Sequence, residues 1–89
     1  MEMKITMDKV LIKLYVPTVD ASFDVKIPLD KKLYMIIYLF IKAIYDLTEG
    51  AYIPQSSPRL YEKWSASCFD INLTARESHI QNGAELILL

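Results

Sequence analysis

The stretch Ser22-Phe23-Asp24-Val25-Lys26-Ile27 alternates strictly between polar and apolar side chains, Pro28 interrupts it, and from Asp30 onward the apolar spacing changes to that of a helix. In a strand of period two, Phe23, Val25 and Ile27 share one face while Ser22, Asp24 and Lys26 share the other. Further along, Leu33, Ile36, Ile37, Phe40, Ile41, Ile44 and Leu47 fall at the i, i+3, i+4, i+7 spacing of one stripe, which predicts a helix of about four turns. Asp30 is placed to be its N-cap, because a carboxylate there can accept from the free N–H groups of the first turn. Gly50 tolerates the left-handed conformation common just past a helix end, and Pro54 and Pro58 keep the following loop extended. An edge of strand feeding a long one-sided helix requires a sheet on which that stripe can pack.

Working toward the N-terminus, Val10-Leu11-Ile12-Lys13-Leu14-Tyr15-Val16 is β-branched and apolar, and Pro17 removes the next backbone donor. It reads as a strand with Val10, Ile12, Leu14 and Val16 toward the core and Leu11, Lys13 and Tyr15 on the other face. A polar turn around Thr18 to Ala21 joins the two strands as a hairpin. Toward the C-terminus, Arg59 to Ser65 reads as a strand, Ser65-Ala66-Ser67 as a turn, and Cys68-Phe69-Asp70-Ile71 as a short returning strand. Thr74-Ala75-Arg76-Glu77 fits a capping box opening a short helix. Asn82-Gly83 is a turn dipeptide, and Ala84 to Leu89 is a largely apolar final strand.

The whole chain is 89 residues with 53% hydrophobic and 24% charged side chains, which describes one domain, since two would each be too small to bury a core. Ten Lys plus Arg against eleven Asp plus Glu leave a net charge of -1 and no positive field for a nucleic acid backbone or an anionic membrane. One Cys and one His supply neither an internal disulfide nor the ligands of a zinc site. The start, Met1 to Lys9, alternates apolar and charged residues where a secretory signal needs a continuous apolar stretch, so a cytoplasmic location is expected. The most apolar run, Leu33 to Ile41, lies between Lys32 and Lys42 and is far short of the about 20 residues of a membrane-spanning helix.

The element order is hairpin, long helix, two short strands, short helix, apolar last strand. A single helix can cover one face of a mixed sheet, and placing the last strand between the first and third buries it on both sides. The fold class expected is α+β, a β-grasp with one long helix packed across a mixed sheet. Phe23-Asp24-Val25-Lys26-Ile27-Pro28, the Lys- and Leu-containing helix start, and the ending His79-Ile80-Gln81-Asn82-Gly83-Ala84-Glu85-Leu86-Ile87-Leu88-Leu89 together resemble the YukD/EsaB family, small ubiquitin-like proteins associated with Gram-positive type VII secretion. The resemblance implies a single ubiquitin-like domain over 1–89, with 1–9 as a flexible lead-in, and a non-catalytic accessory role in secretion through protein–protein binding. Two alternatives stand beside it: a ubiquitin-like adaptor or modifier unrelated to secretion, and the ubiquitin-like domain of a larger transporter subunit.

Chemistry has little purchase here. A conjugating modifier needs a flexible tail ending in Gly-Gly, and this chain ends in Leu88-Leu89, so conjugation is not expected. Cys68 and His79 are a nucleophile and a base by type, but no third group orients them, and a strand position and a turn position account for them better. Glu77 is explained as a cap. Gly50 and Gly83 are the only glycines, too few for a phosphate loop. No enzyme activity, cofactor or metal is therefore expected.

Two surfaces are candidates for protein binding. Tyr34, Tyr38 and Tyr45 lie along one edge of the helix, with Met35 and Leu39 on its outer side. Either the tyrosines are half-buried and close the rim of the core, or Tyr34, Met35, Tyr38 and Leu39 form a face for a partner or for a weak homodimer through antiparallel helices. On the open face of the sheet, Leu11, Lys13 and Tyr15 should stand near Ile87, with Tyr61 beside them.

Overall fold

The computed structural model describes residues 8–54 and 57–89. The chain enters through β1 (Lys9–Val16), turns through a 3-10 segment at Pro17–Val19, and returns as β2 (Ala21–Pro28). Asp20 closes that turn in the left-handed region, φ 47, donating its N–H to the Pro17 carbonyl. The helix α1 (Leu33–Leu47) follows, then β3 (Leu60–Glu62) and β4 (Glu85–Leu88). Of the expected lead-in over 1–9, residues 1–7 lie outside the described residues, and Lys9 is already the first residue of β1.

The sheet has the order β2-β1-β4-β3, antiparallel between β1 and β2, parallel between β1 and β4, antiparallel between β3 and β4. The last strand is therefore central, as its apolar content required. One face of the sheet is covered by α1. Val10, Ile12, Leu14 and Val16 from β1 meet Leu33, Ile36, Ile37, Phe40 and Ile44 from the helix, and Ile27, Leu60, Leu86 and Leu88 from the other strands join the same core, with Leu29, Tyr52, Ala75 and Ile80 from the connections. This is the ubiquitin-like β-grasp fold.

Phe23 and Val25, expected inward, do face the helix, but as residues of an edge strand they are only half-buried. Leu47 departs from the stripe: as the last residue of the helix it is 67% exposed, although Ile44, one turn before it, is buried. Thr48 then caps the helix, its hydroxyl donating to the Ile44 carbonyl at 2.7 Å, and Glu49 (φ 53) and Gly50 (φ 82) turn the chain through successive left-handed residues.

The helix start corrects the reading of Asp30. The N-cap is Lys32, which makes no side-chain cap, and Asp30 is instead bound to Arg76, with Nε 2.8 Å from Oδ1. The free donors of the first turn go to backbone: Leu33 N–H donates to the Leu73 carbonyl (2.9 Å) and Tyr34 N–H to the Ile71 carbonyl (3.1 Å). A backbone carbonyl satisfies an orphan helix donor where no side chain caps it.

Three further expectations change in the second half. The third strand is only Leu60–Glu62, because Ser65 donates both its N–H and its hydroxyl to the Glu62 carboxylate and folds the chain into a turn. The returning strand over Cys68–Ile71 reduces to one bridge between Tyr61 and Cys68, since Asp70 accepts the Asn72 N–H (2.9 Å) and bends the chain away. The capping box forms as read, Thr74 N–H to Glu77 at 2.9 Å and Glu77 N–H to the Thr74 hydroxyl at 3.1 Å. It closes a turn without starting a helix, because His79 is left-handed (φ 58) and directs Ile80 into the core.

Candidate protein-binding surfaces

The outer face of α1 is apolar where a solvent face would be polar. Tyr34 is 50% exposed, Met35 44%, Tyr38 65% and Leu39 51%. Tyr38 is thus mostly exposed, and Tyr34, Met35 and Leu39 are about half exposed along the same side of the helix. With Pro28 and Lys31 these four residues line an open groove of about 530 Å³. The helix places them there because the i, i+1, i+4, i+5 positions project opposite the buried Leu33, Ile37, Phe40 and Ile44. Tyr45 does not join them: a Cβ added at Gly50 would lie 3.3 Å from its phenol oxygen, so its ring rests over the helix C-terminus.

The open sheet face is more mixed. Ile87 stands between Tyr15 on β1 and Tyr61 on β3 in register, so the structure brings these three side chains into one row. The Tyr15 phenol donates to Asp20 Oδ1 at 2.8 Å, and that bond to a carboxylate raises its pKa above the ordinary tyrosine value. Leu11 is 43% exposed but is set apart from this row. Between them runs a second row, Asp24, Lys13 and Glu85 in register, ending at Lys63, whose ammonium is 3.9 Å from Glu85. Acid and base alternate along it across β2, β1 and β4 to the residue just past β3. Sequence reading missed this row, since each member is an unremarkable charge until the register aligns them.

The reactive residue types are dispersed. Cys68 is exposed and lines a groove with Tyr34, Ile71 and Arg59, whereas His79 lines another with Asn82 and Ser78. Glu77 is held below the usual carboxylate range by the Thr74 N–H and hydroxyl. Among the described residues, no three His, Cys, Asp or Glu side chains are grouped to hold a metal ion, and no helix is long and apolar enough to cross a membrane.

No family model and no curated protein matches the chain. Solved structures do. The ubiquitin-like domain of the Mycobacterium tuberculosis type VII secretion system protein ECCD1 superposes with a TM-score of 0.73 at 12% identity, over 93% of this chain and 99% of that one. The EccD5 ubiquitin-like domain from Mycobacterium xenopi gives 0.74 at 14% identity, over 91% and 92%. A toluene 4-monooxygenase HD complex with the inhibitor 4-bromobenzoate gives 0.72 at 14% identity, over 90% and 95%. At such identities the agreement is one of backbone path, and it bears on the fold: a ubiquitin-like β-grasp.

Proposed function

We propose that this protein is a non-catalytic ubiquitin-like accessory component of a type VII secretion system, working in the cytoplasm by docking a protein partner. The observation that carries the reading is the ridge of Tyr34, Met35, Tyr38 and Leu39 on the outside of α1, a continuous apolar face with a groove beside it. Large, rigid aromatic side chains with a polar tip suit a recognition surface. The YukD/EsaB-like ending of the sequence and the two secretion-system domains among its structural neighbours give the partner its setting. The dispersal of Cys68 and His79 and the capping role of Glu77 support binding over turnover.

The test is deletion of the gene followed by complementation. Loss of export of the system's small helical-hairpin substrates, restored by the unmodified protein and not by Tyr38→Lys, is the expected result. Unchanged export in the deletion strain overturns the secretion role and leaves a ubiquitin-like adaptor in another setting. The second reading, a ubiquitin-like domain belonging to a larger transporter subunit, is favoured by the same two neighbours. Detection of the endogenous protein by antibody at a mass well above 10.3 kDa would select it.

A further inference from the structure

Among the described residues, the sheet has one guarded edge and one bare one. β3 is three residues long and is overlaid by the chain that follows, with Glu62 N–H bound to the Ser67 carbonyl and Phe69 N–H to the Leu60 carbonyl. β2 runs eight residues, and among the described residues no strand pairs with its outer side. The direction of its free groups follows from the register. Leu29 N–H donates to the Asp8 carbonyl at 2.8 Å, in line with the pairing of Ile27 with Val10, so Ala21, Phe23, Val25 and Ile27 are the residues whose backbone bonds to β1. Ser22, Asp24, Lys26 and Pro28 therefore present their backbone groups outward, and proline, lacking a donor, sits at one of these outward positions.

We propose that this edge pairs with a second copy of itself: two β2 strands join antiparallel about a two-fold axis at Val25, making one continuous sheet through both molecules. Charge selects that register. With Val25 opposite the partner's Val25, Asp24 stands opposite the partner's Lys26, and the symmetric pair repeats it. A slide of one hydrogen-bonding step either way puts Asp24 opposite the partner's Asp24, or Lys26 opposite the partner's Lys26, and like charges directly opposite destabilise a ladder. In the favoured register, Asp24 exchanges both backbone bonds with the partner's Lys26, and Ser22 N–H reaches the carbonyl that Pro28 retains.

Two other observations agree. The alternating row Lys63, Glu85, Lys13, Asp24 stops at the β2 edge on an acid, and the partner's Lys26 continues its sign pattern. On the helix side, an apolar groove of about 290 Å³ between β2 and α1 is lined by Phe23, Val25, Leu39, Ala43 and Leu47, so the pairing shields apolar surface along with backbone. The two-fold uses both bare edges and leaves only guarded ones, which stops assembly at two. The contact differs from pairing through the helix ridge: Leu39 borders the shielded groove, while Tyr34, Met35 and Tyr38 stay free for another protein.

Sedimentation equilibrium up to high-micromolar concentration tests this, with thermal unfolding of each variant as the check on folding. A dimer is expected. Asp24→Lys and Lys26→Asp should each weaken it about tenfold, because two opposite-charge pairs become two like-charge pairs, and the double variant should restore it. In a Cys68→Ser background, Val25→Cys should link to its own copy under oxidation, since residues facing each other in a non-hydrogen-bonded pair stand about 4.5 Å apart at Cα. A monomer at every concentration overturns the proposal. So does failure of the double variant to restore the dimer, or a dimer lost in Tyr38→Lys and kept in Asp24→Lys.

Discussion

The side-chain carbonyl of Asn82 accepts the backbone N–H of Leu11 at 2.7 Å, and the next residue, Gly83, donates its own N–H to the Leu11 carbonyl at 2.7 Å. A turn dipeptide thus also extends the parallel pairing of β1 and β4 by one rung, with an amide side chain standing in for a strand. Asn82→Ala should cost about 1 kcal/mol in urea unfolding, the usual net value of one hydrogen bond, while Asn82→Asp keeps the acceptor and should lose less. Equal losses in both variants would show that the turn, not the bond, is what Asn82 supplies.

Phe40 sits at the centre of the helical stripe and is 3% exposed. Phe40→Ala should destabilise by about 3 to 5 kcal/mol through lost burial and the cavity left behind. Leu47, although on the same nominal stripe, is exposed, so Leu47→Ala should change stability by less than about 1 kcal/mol. The contrast between the two is readable from thermal midpoints alone.

Tyr38 is the most exposed member of the helix ridge. Tyr38→Lys should leave the unfolding free energy within about 0.5 kcal/mol of the unmodified protein. The same variant should fail to restore export in the deletion strain while folding normally, as the proposed docking role of the ridge requires. A stability loss comparable to Phe40→Ala would place Tyr38 in the core and remove the ridge as a docking face.

Acid should weaken the fold in a defined way. The Arg76 guanidinium holds Asp30 below the usual carboxylate range, the Ser65 hydroxyl and N–H do the same for Glu62, and the Thr74 N–H and hydroxyl for Glu77. Each charged form is favoured by folding, so the unfolded chain takes up protons first as pH falls. The stabilisation is present at neutral pH and is lost below about pH 5, as pH passes through the ordinary carboxylate range toward the folded values. Urea midpoints should fall over that window, and fall less steeply in the combined Asp30→Asn, Glu62→Gln, Glu77→Gln variant. An unchanged slope would mean these bonds do not form in solution.

What was legible in the sequence was what is periodic or local. The alternation Phe23 to Ile27 and the stripe from Leu33 to Ile44 announce a strand and a helix without any knowledge of their neighbours, and the Thr74–Glu77 box is complete within four residues. The ridge Tyr34, Met35, Tyr38 and Leu39 was visible for the same reason. Asp30 misled because its partner, Arg76, lies 46 positions away, and because carbonyls at 71 and 73 had taken the helix donors. The returning strand after Ser67 failed on a single Asp70 side chain competing for backbone. That Ile87 faces Tyr15 and not Leu11 depends on the register of β1 against β4, which no local pattern encodes.

The Leu11–Asn82 bond spans 71 positions, and the parallel pairing it extends joins the first strand to the last. Until β4 is in place, β1 has a partner on one side only, and Leu14 of β1 and Leu60 of β3 lack their β4 neighbours Leu86 and Leu88. Contacts this distant along the chain close slowly, because the loop entropy must be overcome before the packing rewards it. The hairpin is therefore sealed only when β4 reaches β1, which makes closure of the sheet a late step in the folding of this domain.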